Sequence, residues 1–189
     1  DTPDAANHAG AQLGPSASMF GITGSAAALG QHVNGLAFNR LNNTFSAPQQ
    51  VASGLSGGDS NSDKAAWGQA FGGRASDDGR DGVSGYRASY SGLLLGADTA
   101  LNDQWRAGGL FSYATTSVSN TGNNAGSYAN VDSYGVTAYA GYTGEPWVIN
   151  MSVGAMRSDI AAHRVLNFTG FNGMANSNYK GMQYIAAVQ

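Results

Sequence analysis

One stretch of the chain shows the alternation of a long β-strand with two different faces. From Tyr134 to Tyr142 every second residue is tyrosine, valine or alanine, and the residues between them are small, except for Tyr139. Because successive side chains of a strand point to opposite faces, this pattern makes an apolar face with tyrosine at both ends. The eight residue steps from Tyr134 to Tyr142 span about 26 Å as a strand. That length matches the apolar band of an outer-membrane β-barrel, which aromatic residues flank at both interfaces.

The composition agrees with strands that have one lipid-facing side and one polar side. Charged residues make up 11% of the chain, against roughly 25% in soluble domains, and 28 of 189 residues are glycine. A net charge of −3 without a Lys/Arg cluster argues against nucleic-acid binding. The absence of cysteine excludes disulfide scaffolds and thiol chemistry. No apolar run reaches the 18 residues of a membrane-spanning helix.

A helical pattern precedes the strands. Apolar residues recur at steps of three and four over residues 19–45, and Leu29, Val33 and Leu36 belong to this stripe. Each glycine inside the segment costs about 1 kcal/mol relative to alanine, so the helix needs surrounding structure. We therefore predict a narrow helix inside a pore, with these three residues facing the wall and Arg40 as a further residue of this pore helix.

The segments on either side of this helix have different compositions. Residues 1–18 are small and polar and are predicted to be a disordered tail. Residues 46–63 are rich in Ser, Gly, Gln and Asp and are predicted to be a flexible linker. Residues 64–189 carry the alternating pattern and are predicted to form the first part of a β-barrel.

Six strands are predicted in this last region. They cover residues 65–73, 86–101, 104–118, 130–142, 146–165 and 178–189. The connections near residues 102 and 144 are short, whereas three others are long and rich in Gly, Asn and Ser. The long connections are residues 74–85, 119–129 and 166–177. Short turns on one side and long loops on the other are typical of outer-membrane barrels, so the predicted fold is an all-β, antiparallel, meander transmembrane barrel with an N-terminal helix.

Polar and aromatic side chains are assigned to the two faces of the predicted wall. The residues predicted to face the lumen are Asp98, Arg106, Asn150 and Arg157. The residues predicted to form the aromatic girdle at the lipid interfaces are Trp105, Tyr134, Tyr142 and Trp147. Asp98 and Arg106 flank one hairpin, so an ion pair between them is expected.

Several short motifs in this order resemble a known family. They are AWGQAFGG at 66–73, GLLLGAD at 92–98, WRAG at 105–108, DSY at 132–134 and YAGY at 139–142. In this order they resemble the C-terminal translocator (β-barrel) domain of autotransporters, the type V secretion proteins. The resemblance implies a twelve-stranded barrel, of which about six strands are present here, and a helix that threads the pore.

The resemblance also implies a function. It predicts an outer-membrane protein of a Gram-negative bacterium that mediates secretion or surface display of its own N-terminal passenger, of which residues 1–18 are a possible remnant. The implied partners are outer-membrane lipid, the passenger and the barrel-assembly machinery, and no cofactor, metal or nucleic acid is expected. Two alternatives remain open: a soluble or surface all-β binding module, and a porin-like barrel without a passenger.

Catalytic patterns in the chain are weak. Residues 54–58 read Gly-Leu-Ser-Gly-Gly, but a nucleophile elbow needs a strand before it and a helix after it, and this one lies in the predicted linker. The three histidines have no carboxylate at metal-ligand spacing. Some autotransporters cleave themselves between two asparagines in the lumen, and Asn42 with Asn43 form such a pair, with Asp98 as the candidate carboxylate. The chain is therefore predicted not to be an enzyme, with self-cleavage as the alternative.

Overall fold

A computed structural model of the chain describes one helix and six strands. The described residues are 17–46, 64–78, 85–121, 125–168 and 170–189, together with positions 3, 7 and 10. Helix α1 spans Ala17–Ser46, so it begins before the predicted residue 19 and includes Ser46. The predicted tail and linker otherwise lie almost entirely outside the described residues.

The strands form one antiparallel sheet in chain order. They are β1 Lys64–Asp77, β2 Tyr86–Ala100, β3 Trp105–Asn120, β4 Tyr128–Gly144, β5 Trp147–Phe168 and β6 Phe171–Val188. Each strand pairs with the next one along the chain, and β1 and β6 are the two edges of an open sheet within the described residues. The predicted antiparallel meander with an N-terminal helix is therefore confirmed.

The predicted long loop at residues 166–177 is wrong. Strands β5 and β6 continue through it as a ladder that ends with Phe168 opposite Phe171, whose rings stack at 5.3 Å. Gly170 has a φ of 87°, which a tight turn accommodates readily only with glycine. Most of β6 up to Lys180 is exposed, so this ribbon needs no apolar alternation, and its Asn- and Gly-rich sequence is easily mistaken for a loop.

Helix α1 packs along one side of the sheet, which we call the inner face. Its stripe of Leu29, Val33, Ala37 and Leu41 is at most 1% exposed. The wall residues packed in the same cluster include Leu94, Leu110, Ala114 and Met156. Burying a leucine contributes roughly 2 kcal/mol, so this stripe stabilises a helix that its glycines would otherwise weaken.

Aromatic rings on the inner face lie over glycines of the neighbouring strands. Trp67 pairs in register with Gly96, and Tyr139 pairs with Gly108. A Cβ atom at Gly96 would come within 2.5 Å of the Trp67 indole, and one at Gly108 within 2.8 Å of the Tyr139 ring. These glycines therefore let the rings lie flat against the wall, which leaves room for α1.

Candidate functional site

A buried ionic cluster joins the helix to the wall near the C-terminal end of α1. Asp98 of β2 is 5% exposed and accepts hydrogen bonds from two guanidinium groups. Arg106 Nε of β3 donates to Asp98 Oδ1 at 2.6 Å, and Arg40 Nε of α1 donates to Oδ2 at 3.1 Å. Such charge-assisted bonds are stronger than neutral ones. The carboxylate thus compensates the buried charge of Arg106 and fixes the helix at Arg40.

Two aromatic residues extend this cluster to further strands. The Tyr139 hydroxyl of β4 donates to Asp98 Oδ2 at 3.2 Å. Trp67 Nε1 of β1 donates to the Tyr139 hydroxyl oxygen at 3.0 Å. We call Asp98, Arg106, Arg40, Tyr139 and Trp67 the polar node. It joins the helix and four consecutive strands through one carboxylate.

Two neutral contacts hold the helix against β5. Asn150 Nδ2 donates to Asn42 Oδ1 at 2.8 Å, and Ser152 Oγ donates to Asn34 Oδ1 at 3.2 Å. Asn150 is 2% exposed, and the hydrogen bond to Asn42 gives its buried Nδ2 a partner, whereas its Oδ1 has no partner among the described residues. Together with the polar node, these bonds select one position of α1 along the strands.

The structure places most of the predicted lumen residues on the inner face. Asp98, Arg106 and Asn150 all contact α1 or a residue that contacts it, as described above. Leu36 is partly buried beside the same cluster as Leu29 and Val33. The inner face is thus the one on which these side chains meet the helix.

The expectation that Arg157 faces the lumen is wrong. It pairs in register with Tyr134, whose side chain is 44% exposed on the opposite, outer face. Its Nε lies 3.5 Å from Asp159 Oδ1, and its side chain is 52% exposed. Arg157 shares the parity of Met151 and Val153 in β5, and its charge does not override that parity.

Two aromatic rows mark the outer face. Trp105 and Tyr142 pair across β3 and β4 with ring centroids 5.2 Å apart, and Tyr113 pairs with Tyr134 at 5.1 Å. Trp147 lies beyond the first row, next to the β4–β5 turn, and is 66% exposed. Each row lies eight residues from the other along β3 and along β4. Trp105, Tyr134 and Tyr142 thus occur in two rows with Trp147 near the first, and Tyr113 belongs to the second row although the sequence did not single it out.

The outer positions between these rows carry no charge on β2 to β5 of the described sheet. They are Leu95, Ala97, Thr99, Ala107, Gly109, Phe111, Val136, Ala138, Ala140, Met151, Val153 and Ala155. Several of the large ones are strongly exposed, among them Val136 at 60% and Val153 at 62%. An exposed apolar surface of this extent is typical of a face that contacts lipid or another protein.

The sequence did not single out Tyr139 and Trp67 as site residues. Tyr139 interrupts a face of small residues, and Trp67 shares its parity with other inward residues of β1. A large ring on a small-residue face, opposite a glycine, was the available signal. Their hydrogen bond could not be found from sequence, because it joins residues 72 positions apart.

The asparagine pair at Asn42 and Asn43 is only partly described. The Asn42 amide oxygen accepts the bond from Asn150 at 2.8 Å, while the Asn43 side chain lies outside the described part of the chain. Both oxygens of Asp98 already accept hydrogen bonds from the polar node. Self-cleavage at this pair stays a prediction.

The described residues contain neither a group of metal-binding side chains nor a helix that could cross a membrane. No group of three or more His, Cys, Asp or Glu side chains that could bind a metal ion occurs among the described residues. No helix among them has both the length and the apolar character needed to cross a membrane. The arrangement is suited to holding a helix against a wall by a few polar contacts.

The comparisons with known proteins agree with this arrangement. The family model described as the autotransporter β-domain matches residues 66–189, which is all but the first two residues of the sheet region. The comparison with curated proteins found no match. Because the matched region covers most of the chain and coincides with the six-stranded sheet, this chain belongs to the autotransporter β-domain family, the outer-membrane β-barrel translocators of type V secretion.

Proposed function

We propose that this chain mediates secretion or surface display of its own N-terminal passenger across the outer membrane of a Gram-negative bacterium. The observation that carries the proposal is the direction of α1 along the inner face. Ile22, near its start, packs against Ala88 and Val118, close to the long connections. Arg40, near its end, contacts Asp98, close to the short turn at 101–104.

This direction gives the chain a path through the barrel. Eighteen residues separate Ile22 from Arg40, or about 27 Å of helix, which is close to the height of the apolar band. Lys64, where β1 begins, pairs with Thr99 at the short-turn end. Outer-membrane barrels have short turns on the periplasmic side and long loops outside. A segment that precedes α1 therefore leaves the barrel at the cell surface.

The surfaces of the sheet supply the physical basis for this role. The outer face provides an apolar band between two aromatic rows for the membrane. The inner face is lined by small polar residues such as Ser112, Ser133 and Thr137, which leave room for a chain and bind it weakly. The polar node then holds the helix in one position once the preceding chain has passed. The partners proposed are outer-membrane lipid, the passenger and the barrel-assembly machinery.

The position of the passenger can be tested with epitope tags in the natural full-length protein. One tag is inserted ahead of α1, and a second replaces the exposed turn at 101–104. On intact cells an antibody should bind the first tag and not the second, and permeabilised cells should bind both. Binding of the turn tag on intact cells, or binding of the first tag only after permeabilisation, would contradict the proposed orientation.

Detergent dependence and the same epitope tags also test the two alternatives, a binding module and a porin-like barrel. A soluble binding module would bury the uncharged outer positions in a core and stay monomeric without detergent, whereas we expect the purified protein to require detergent. A porin-like barrel would insert in the membrane but would not present a tagged segment ahead of α1 at the surface. Either result would favour that alternative over a translocator.

We further propose that the chain has no catalytic role. Self-cleavage after Asn42 is the exception that needs its own measurement. Mass spectrometry of the correctly inserted natural protein would give a new N-terminus at Asn43 if cleavage occurs. An intact chain after insertion would refute self-cleavage at this site.

A further inference from the structure

An apolar row crosses the inner face at the end where the long connections lie. Ala88, Val118 and Ala129 stand in register across β2, β3 and β4. They are 4%, 0% and 0% exposed. Val131 of β4 and Ile160 of β5 pair in register just below them and are 3% and 8% exposed. We call these five residues the apolar collar.

The helix contributes one residue to the cluster that contains this collar. Ile22 of α1 is 7% exposed and belongs to the same packed cluster. Ala75 of β1 and Ala162 of β5 pack at its margin, so the collar row continues across five neighbouring strands. On the described wall, the helix and the collar thus meet without a charged side chain in the cluster.

Polar residues lie next to the collar on both sides, and on the side toward the polar node they separate it from the apolar cluster of Leu94, Ala114 and Met156. Ser133 and Ser158 share a hydrogen bond of 2.8 Å on the side toward the polar node. Asn120 and Ser127 are buried at 5% and 2% on the side toward the long connections. A narrow apolar section between two polar ones is the form that hydrophobic gates take, because ions must shed water to enter it.

We propose that the apolar collar, with Ile22 of the same cluster, is the ion seal of the pore after the helix has docked. This inference rests on the proposed translocator function. A translocator needs a passage wide enough for a chain, and the same passage would leak ions once the chain has crossed. The polar node fixes the helix at the other end of the lumen, so position and seal depend on different residues.

The seal can be separated from mere packing by near-isosteric substitutions. Val118→Thr together with Val131→Thr keeps both side chains β-branched and replaces one methyl group of each by a hydroxyl. The matched control is Val136→Thr with Val153→Thr, the same change at exposed outer positions. Ile22→Asn, which is not isosteric, introduces a polar side chain at the collar from the helix.

Each variant of the natural full-length protein is inserted into planar lipid bilayers, and its ohmic leak conductance is measured. The collar pair and Ile22→Asn should each raise the leak several-fold, and the control pair should leave it at the wild-type level. Protease protection of α1 is measured in the same samples. A leak that rises while protection is unchanged supports a seal rather than a loosened helix.

Two outcomes would overturn the seal. One is a leak conductance at the wild-type level both in the variant with the two collar substitutions and in Ile22→Asn. The other is a rise in leak that appears only when α1 becomes protease-sensitive, which would assign the effect to docking. Surface display of the epitope ahead of α1 is scored for every variant. Normal display without an effect on leak refutes only the seal, whereas absent display in the wild type refutes the proposed function.

Discussion

Replacing Asp98 on the inner face with asparagine should strongly destabilise the protein, although the change is isosteric. Arg106 would keep its charge at 8% exposure without the carboxylate that now lies 2.6 Å from its Nε. Removing one partner of a buried ion pair costs about 3–5 kcal/mol. Asparagine retains one hydrogen-bond acceptor for the two guanidinium groups. The Arg40 side chain is 25% exposed, so solvent reduces the contribution of the Arg40–Asp98 pair to the loss of stability. We therefore expect a loss of about 3 kcal/mol in the free energy of unfolding.

The loss is measured by guanidinium unfolding of the natural full-length protein in detergent micelles, followed by tryptophan fluorescence. Trp67 donates to Tyr139 within the node, so its emission reports on the site as well as on the fold. The matched control is Asp132→Asn, which removes an aspartate from the outer face of β4. Its carboxylate receives an exposed hydrogen bond from Tyr113 at 3.4 Å, so we expect a change within about 0.5 kcal/mol.

A double-mutant cycle with Arg106→Gln isolates the pair itself. If the two side chains compensate each other, the double variant should lose less than the sum of the single losses, by about 1–3 kcal/mol. Strict additivity would mean that the 2.6 Å contact carries no coupling. An Asp98→Asn loss no larger than that of Asp132→Asn would refute the reasoning from buried charge altogether.

Two other pairs of substitutions test the assignment of the faces. Gly108→Ala should destabilise the protein by about 1–3 kcal/mol, because the new Cβ would lie 2.8 Å from the Tyr139 ring, whereas Gly109→Ala, whose nearest neighbour would be 3.7 Å away, should be nearly neutral in the same unfolding assay. Arg157→Leu should leave protease protection of α1 unchanged, while Arg106→Leu should reduce it; equal effects would contradict the outward position of Arg157.

The faces of the sheet could be predicted from sequence because strand parity is a local property. The alternation from Tyr134 to Tyr142 fixes the outer side of β4 without reference to any other strand. The register with β3 then brings Trp105 beside Tyr142, and this pairing is not visible in either strand alone. The girdle residues could thus be chosen individually, but their arrangement in rows depends on the sheet.

The two wrong predictions have a common origin. In both, charge or polarity was interpreted without regard to the face of the strand on which the residues lie. The charge of Arg157 suggested an inward position, although its parity pointed outward. The polarity of residues 166–177 suggested a loop, although a strand exposed on both faces has no need of apolar residues. Polarity indicates solvent or lumen only where one face of a strand is known to be apolar.

The polar node could be predicted only in part. Asp98 and Arg106 flank one hairpin and are eight residues apart, so their pairing follows from local geometry. Arg40 is 58 residues from Asp98 and reaches it only because α1 lies at one particular height along the wall. That height is set by contacts such as Asn34 with Ser152, 118 residues apart. No pattern within the helix specifies it.

The glycines of α1 show why a helix with poor intrinsic propensity suits this position. A Cβ at Gly30 would lie 2.6 Å from Ile185 Cδ1 and 2.9 Å from Gln183 Nε2, both side chains of β6. The cost of about 1 kcal/mol for glycine in the helix is therefore offset by close approach to the wall. Gly35 is different, since it is exposed and a Cβ added there would have no neighbour within 4 Å. The inference from glycine content to an enclosed helix therefore holds at Gly30, where the wall approaches most closely, and not at Gly35.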